Sequence, residues 1–216
     1  MEAYVITIMD NQKSMESATR CIHSAEKYGL TVNHFEAITP KDKPWEILHK
    51  KGISPHNFVE KYSRLENCMA AFLSHYSLWE KSVKDDKNIV IFEHDAVVIG
   101  EIPVNEKFDG VMTFSKPSYG KFNTPIKLGV DGLMQKQYFG GAHGYIVNPW
   151  GAAELIKTAK TKGGPTDVFL NLTNFPWLQE YYPWACMAID TFTTIQRELG
   201  CQAKHYYKEG YKIIDA

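Results

Sequence analysis

Apolar side chains recur every three or four positions between residues 65 and 83, where the chain shows its clearest helical pattern. The apolar positions are Leu65, Cys68, Met69, Phe72, Tyr76, Trp79 and Val83. Because an α-helix turns once every 3.6 residues, this spacing places all of them on one face. We therefore predict a long helix that buries one side.

A short polar turn, residues 85–88, leads from this helix into the unbroken apolar run 89–92. Continuous runs of this kind are typical of strands that are covered on both faces, as in parallel sheets. The order of helix, short turn and buried strand therefore indicates an α/β fold with a parallel sheet.

Shorter patterns predict the remaining elements. Strands are predicted at residues 3–9, 31–38, 109–115 and 144–147, and helices at residues 14–28 and 150–160. Asn148 and Pro149 read as the N-cap and first position of the second of these helices. Residues 39–55 read as loop with at most a short helix. Residues 116–137 form a long stretch without periodicity, which is typical of a lid or a binding loop.

Composition narrows the class of protein. The 216 residues are 44% hydrophobic and 23% charged, with a formal net charge of −1. We expect one globular domain over residues 1–216, with no basic excess for nonspecific binding of polyanions. No stretch approaches the ~20 apolar residues of a membrane span, and the opening MEAYVITIM does not resemble a secretory leader, so we expect a cytoplasmic protein. Four dispersed cysteines without a CxxC pair are expected to be free thiols.

Three ionisable residues, Glu93, His94 and Asp95, directly follow the apolar run 89–92 and are candidates for a functional site. Ligand sites of open α/β sheets lie beyond the carboxyl ends of the strands. If the extended backbone continues, the two carboxylates point to one side and the imidazole to the other. A shared Mg²⁺ or Mn²⁺ ion would relieve their repulsion. A solvated strand end explains the same residues, and the spacing alone does not reject it.

Three stretches together resemble glycosyltransferase family 25. They are ENCMAAFLSHYSLWEKSV at 66–83, IVIFEHDAVV at 89–98, and GGAHGYIVNPWGAAELI at 140–156 running on to GPTDVFL at 164–170. Their order and spacing agree with the family over roughly residues 3 to 190. The resemblance implies a GT-A fold, a nucleotide-binding sandwich with a mixed, mostly parallel sheet flanked by helices. It also implies a nucleotide-sugar donor, UDP-linked, whose diphosphate is bound through a divalent metal ion.

The same resemblance implies roles for individual residues. Glu93 and Asp95 match the outer positions of the metal-binding motif. Asp167 matches the family's Pro-x-Asp aspartate, the leading candidate for the catalytic base of an inverting transfer or for a group that orients the acceptor. Asp190 is a second candidate for the base. The positions expected near the donor are Glu66, Ser74, His75, Gly141 and His143, together with the two metal ligands.

Structural alternatives accompany these roles. Asp167 could simply cap a short helix, and Glu66, Ser74 and His75 could form an ordinary polar helix face. Gly141 could serve tight packing. The chain also departs from the family pattern at two places. His94 replaces the middle acid of the metal motif, and the first loop, MDNQKSMESATR at 9–20, lacks the family's arginine-rich run.

Two further functions stay open at this stage. The acceptor could be a modified base in DNA instead of a glycan, with phosphates held by Lys116, Lys121, Lys127 and Lys136. Alternatively, the domain could be an inactive module that binds nucleotide sugars or glycans. A Rossmann dehydrogenase is disfavoured because no GxGxxG follows the first strand. The sequence names neither the sugar, nor the acceptor, nor the oligomeric state.

Overall fold

The computed structural model describes residues 1–59, 63–189, 192–196 and 212–216. The helices in these residues are α1 Gln12–Glu26, α2 Pro44–Lys50, α3 Leu65–Asp85, α4 Pro149–Lys162 and α5 Thr166–Phe169. The strands are β1 Glu2–Thr7, β2 Asn33–Glu36, β3 Ile89–Glu93, β4 Ala96–Val98, β5 Val111–Thr113, β6 Gly129–Gly132, β7 Gly144–Val147, β8 Gln179–Tyr182, β9 Cys186–Ala188, β10 Phe192–Thr193 and β11 Lys212–Ile213.

The central sheet has seven strands in the order β2-β1-β3-β7-β5-β8-β6. Strand β1 is parallel to β2 and β3, and β5 is parallel to β8. Strand β7 is antiparallel to both β3 and β5, and β6 is antiparallel to β8. Strands β1, β2, β3, β5 and β8 therefore share one direction, which β6 and β7 oppose. The predicted α/β fold with a mixed, mostly parallel sheet is confirmed.

Strand β3 shows why residues 89–92 carry no polar position. Ile89 and Ile91 belong to a core cluster that includes the buried face of α3. Val90 and Phe92 point to the other face, into a second cluster that includes residues of α1. Because side chains alternate along a strand, a strand between two helical layers must be apolar at every position.

The helix boundaries follow local capping. The side chain of Asn148 accepts a hydrogen bond from the Gly151 backbone N–H at 2.8 Å, and Pro149 occupies the first turn of α4, as predicted. Asn11 caps α1 in the same way. Helix α3 ends at Asp86, whose φ of 50° lies in the left-handed region. The long helix predicted from residue 65 is therefore confirmed, together with its C-terminal turn.

Several strands were not predicted from the sequence. Strand β6 lies within the stretch predicted as loop, and none of its residues is buried, so it shows no alternation of apolar and polar side chains. Strand β8 was not predicted, because the residues before and after it are rich in aromatic side chains and prolines. The strand predicted at 31–38 is confined to Asn33–Glu36, and residues 39–55 contain α2. Edge and short strands are fixed by their pairing partners more than by their own pattern.

Cys21, Cys68 and Cys186 are buried free thiols, as expected, while Cys201 lies outside the described residues. None of the helices in the described part of the chain is both long and apolar enough to traverse a bilayer.

Helix α4 packs unusually close to the loop before β5, and this contact yields a test. A Cβ added at Gly151 would lie 2.3 Å from the carbonyl oxygen of Gly110, which is backbone and cannot move aside. Gly151→Ala should therefore lower the free energy of unfolding by about 1–3 kcal/mol, although alanine favours helices. Urea denaturation measures the change.

Gly132→Ala is the matched control, because a Cβ at Gly132 would meet no atom within 4 Å. This variant should be as stable as the wild type or slightly more stable, since alanine restricts the unfolded chain. If Gly151→Ala were also neutral, the close approach of α4 to Gly110 would be wrong.

Candidate functional site

A cavity of about 380 Å³ opens at the carboxyl ends of β1, β2 and β3. Ile6 and Ile8 line it from β1, Ala37 and Ile38 from the end of β2, and residues 93–95 from the end of β3. The strand order places β2 and β3 on opposite sides of β1. Such a switch point, at the carboxyl edge of the sheet, is where α/β proteins bind their ligands. The site predicted at this edge thus coincides with a cavity.

The other walls come from distant parts of the sequence. The N-terminal half of α3 contributes Ser74 and His75, the segment before β7 contributes Gly141, and α5 contributes Asp167. Strand β7 runs antiparallel to β3, so its amino end lies beside the carboxyl end of β3. This arrangement brings residues 141 and 93 to the same edge of the sheet.

Glu93 is the last residue of β3, and its side chain keeps 32% of its surface exposed, toward the cavity. Its Oε1 lies 3.2 Å from Nε2 of His75. Burial raises the pKa of Glu93 well above its usual range, and the charges of Asp95 and Asp167 raise it further. The neighbouring carboxylates and the burial therefore both disfavour the ionised form of Glu93.

The strand does not continue through His94 and Asp95, which form a turn after β3. The expected alternation of side chains therefore does not apply, and Glu93, His94 and Asp95 all line the cavity. Nδ1 of His94 lies 2.9 Å from Oγ of Ser14, at the start of α1. Burial lowers the pKa of His94. His94 is thus a neutral, anchored ring beside the two acids.

Asp167 lies in the first turn of α5, whose N-cap is Pro165, so the aspartate does not cap this helix. Its Oδ1 accepts a hydrogen bond from the Val168 N–H at 2.8 Å, and its Oδ2 accepts a short one from the Tyr119 hydroxyl. Burial raises the pKa of Asp167, an effect that the Tyr119 hydroxyl opposes. The carboxylate is therefore oriented and more basic than an exposed aspartate.

Tyr119 and its neighbours are site residues that the sequence analysis missed. Nζ of Lys136 lies 4.5 Å from the ring centre of Tyr119 and 4.6 Å from that of Tyr138. It also donates to the Tyr119 carbonyl at 2.8 Å. The stretch 116–137 was expected to act as a lid or binding loop, but only folding brings its Tyr119 to Asp167.

Ser74 and His75 lie on the cavity side of α3 and are almost fully buried. Oγ of Ser74 accepts from the Ile38 N–H at 2.8 Å and donates to the Ala70 carbonyl at 3.0 Å, so it joins the end of β2 to the helix. Burial lowers the pKa of His75 to about 3, which leaves its ring neutral. Their predicted contact with a donor stays a prediction.

Gly141 has a φ of 107°, and a Cβ there would lie 2.6 Å from Nδ1 of His143. A glycine is therefore required at this point of the cavity wall. His143 is buried behind Gly141 and does not line the cavity, and its Nε2 has no hydrogen-bond partner. The pKa of His143 is lowered by burial.

Two predicted positions are not brought to the cavity. Glu66 is exposed in the first turn of α3 and is not among the lining residues. Asp190, the second candidate base, lies outside the described residues.

The possible metal ligands at the cavity are too few to surround an ion completely, but they could bind one that keeps open coordination positions. Within residues 1–59, 63–189, 192–196 and 212–216, no group of three or more His, Cys, Asp or Glu side chains could hold a metal ion by itself. Glu93 and Asp95 could supply two oxygen ligands at the cavity wall. Mg²⁺ and Mn²⁺ are commonly bound in this way, with water and substrate phosphates completing the coordination.

An acidic cavity at the switch point of a mixed α/β sheet is a typical position for a ligand site. Residues 1–170 match the sequence model described as Glycosyltransferase family 25 (LPS biosynthesis protein). The chain therefore belongs to glycosyltransferase family 25 and is a glycosyltransferase. No curated protein matches it.

The electrostatics of Glu93 predict that this residue lowers stability. Its raised pKa means that the folded protein holds the charged form less readily than the unfolded chain does. Stability is therefore lost as the pH rises from the unfolded pKa through the folded one. At neutral pH, Glu93→Gln should raise the free energy of unfolding by on the order of 1 kcal/mol, since the amide oxygen can still accept from His75.

Urea denaturation at neutral and at acidic pH measures this effect, which should shrink as the pH falls. Glu101→Gln, at an exposed position away from the cavity, should change stability at neither pH. A Glu93→Gln variant less stable than the wild type at neutral pH would contradict the electrostatic account.

Proposed function

We propose that this glycosyltransferase transfers a sugar from a UDP-linked nucleotide sugar to a hydroxyl group of a glycan, with inversion at the sugar. Glu93 and Asp95 would hold a divalent cation, Mn²⁺ or Mg²⁺, on the donor side of the cavity. The observation that carries the proposal is the meeting of Glu93, Asp95 and Asp167 in one cavity at the switch point of the sheet.

The donor side is formed by the ends of β1, β2 and β3. Apolar side chains from β1 and β2 can cover a base, and the two acids after β3 face the position of the diphosphate. When bound there, the cation would supply neutralisation of the negative charge on the leaving phosphate oxygens. Neutral His94, anchored to Ser14, adds no further charge to this side.

Asp167 serves as the base on the acceptor side. As the acceptor oxygen bonds to the anomeric carbon and the bond to the diphosphate breaks, the acceptor proton passes to the Asp167 carboxylate. The raised pKa of Asp167 makes it a better proton acceptor, and the Tyr119 hydroxyl and the Val168 N–H orient it. Asp190 remains a second candidate for this role.

The lysines considered for DNA binding are partly engaged within the protein. Lys136 packs on the rings of Tyr119 and Tyr138, and Nζ of Lys127 lies 3.5 Å from Asp131. Lysines held in this way are less available to follow phosphates, which favours a glycan acceptor over modified DNA.

Donor hydrolysis without an acceptor tests the proposal. Purified protein is incubated with Mn²⁺ and a panel of sugar nucleotides, and release of the nucleotide is measured. We expect slow hydrolysis of a UDP-linked donor. The double variant Glu93→Gln/Asp95→Asn should lose on the order of 100-fold or more of this activity, because charge stabilisation at the leaving group is lost.

Glu101→Gln, outside the cavity, is the matched control and should keep full activity. Undiminished hydrolysis by the double variant would overturn the assignment of Glu93 and Asp95. Tight binding of a donor without turnover, under any metal condition, would instead indicate an inactive binding module.

The hydrogen bond from Tyr119 predicts a pH effect. Asp167 accepts a proton only when ionised, so the transfer rate falls as the pH drops through its pKa. The Tyr119 hydroxyl lowers that pKa by stabilising the carboxylate. Tyr119→Phe should therefore move the acid limb of the pH–rate profile to higher pH.

The profile is measured with saturating donor, with Tyr182→Phe on strand β8 as a control whose acid limb should not move. An unchanged or lowered limb in Tyr119→Phe would show that Asp167 is not the group being titrated.

A further inference from the structure

A chain of hydrogen bonds runs through the core behind Glu93. Nε1 of Trp79 lies 2.9 Å from the hydroxyl oxygen of Tyr145, which in turn lies 2.9 Å from Nδ1 of His75. Nε2 of His75 lies 3.2 Å from Oε1 of Glu93. Trp79, Tyr145 and His75 are each no more than 1% exposed. The chain thus leads from the interior to the wall of the cavity.

The chemistry of Trp79 and the burial of Tyr145 together indicate the direction of these hydrogen bonds. An indole N–H can only donate, so Trp79 must donate to the Tyr145 oxygen. The Tyr145 oxygen could accept a second hydrogen bond from His75, but the buried hydroxyl proton would then have no acceptor among its two partners, which is costly. Donation from the Tyr145 hydroxyl to Nδ1 of His75 is therefore favoured. A neutral imidazole that accepts at Nδ1 carries its proton at Nε2. His75 therefore donates to Glu93.

We propose that Trp79, Tyr145 and His75 are positioning residues that hold the Glu93 carboxylate at the cavity wall. Each residue donates a hydrogen bond to the next, from Trp79 to Tyr145, from Tyr145 to His75, and from His75 to Glu93. The inference rests on the proposed function for the importance of Glu93. It gives His75 a role behind Glu93 instead of contact with the donor, because both of its ring nitrogens already have protein partners.

The elements that carry the chain are suited to this role. Trp79 and His75 lie one turn apart on α3, and Tyr145 lies on β7, directly opposite Ile91 of β3. The rings of His75 and Tyr145 are stacked, with centroids 5.8 Å apart and an angle of 21° between their planes. Glu93, on the same strand as Ile91, is repelled by Asp95 and Asp167. A fixed donor at Nε2 keeps its carboxylate from turning away from them.

The tautomer of His75 is the first test. Long-range ¹H–¹⁵N correlation spectra of the labelled full chain, without metal, distinguish a protonated from an unprotonated ring nitrogen, and His75→Gln assigns the signals. We expect His75 to be neutral, with its proton on Nε2. A proton on Nδ1 would overturn the inference whatever the protein does with donors.

Binding of Mn²⁺ alone, measured by electron paramagnetic resonance of the free ion, is the second test. His75→Phe removes the donor to Glu93 and should weaken Mn²⁺ binding by about 10–100-fold, as is usual for residues that orient metal ligands. His75→Gln should keep most of the affinity, because its side-chain N–H₂ group can replace Nε2–H. Tyr145→Phe should fall between the two and allow a mixture of His75 tautomers.

Tyr76→Phe is the matched control for loss of a buried tyrosine hydroxyl. Tyr76 lies on the same helix, is 1% exposed, and its oxygen accepts from Lys160 at 3.0 Å, outside the chain that reaches Glu93. If Tyr145→Phe and His75→Phe weaken Mn²⁺ binding no more than Tyr76→Phe does, the inference is overturned.

The two tests also separate this inference from the proposed function. If the wild-type protein binds no Mn²⁺, the proposed metal site is wrong. The His75 tautomer then tests the hydrogen-bond chain by itself: a proton on Nε2 supports it, and a proton on Nδ1 overturns it. If Mn²⁺ binds but His75→Phe has no effect, the metal site stands and the positioning role fails.

Discussion

Mutual repulsion of carboxyl groups in one half-buried cavity is the constraint around which this site is built. Burial raises the pKa of both Glu93 and Asp167, and the charge of Asp95 adds to the effect on Glu93. Such groups stay together only where the surrounding structure is rigid. Strand β3 meets this need, since it lies between β1 and β7 with both faces covered by core. The cavity therefore holds unfavourable electrostatic energy that a cation or a proton relieves.

Glu93 and Asp167 are held by different parts of the fold. Glu93 receives its hydrogen bond from α3, which is braced against β7 through Tyr145. Asp167 receives one from Tyr119, in a long and mostly irregular stretch. Side chains on regular elements keep their geometry better than those on loops. The Glu93 side of the cavity is therefore built for fixed geometry, whereas the Asp167 side can vary with its loop.

The sequence predicted the parts of this fold that depend on burial. The helical face of α3 and the apolar run of β3 carry strong patterns because each packs against core, and the position of Glu93 at a cavity follows from the end of that run. Strand β6 and the approach of Tyr119 to Asp167 were not predictable in this way. One is an edge strand with no buried residue, and the other is a contact across 48 positions of sequence.

The two places at which the chain departs from the family pattern are in contact with each other. His94, which stands in place of the middle acid, bonds through Nδ1 to Ser14. Ser14 lies in the first turn of α1, within the stretch 9–20 that lacks the arginine-rich run. Ser14 also accepts from the Ile8 N–H at 2.9 Å, so this contact ties the end of β3 to the end of β1. A neutral pair needs no counter-charge, whereas an acid at position 94 would add a charge to a cavity that already disfavours the charge of Glu93. The contact between His94 and Ser14 therefore adds no charge beside Glu93, whose pKa is already raised by burial and by Asp95 and Asp167.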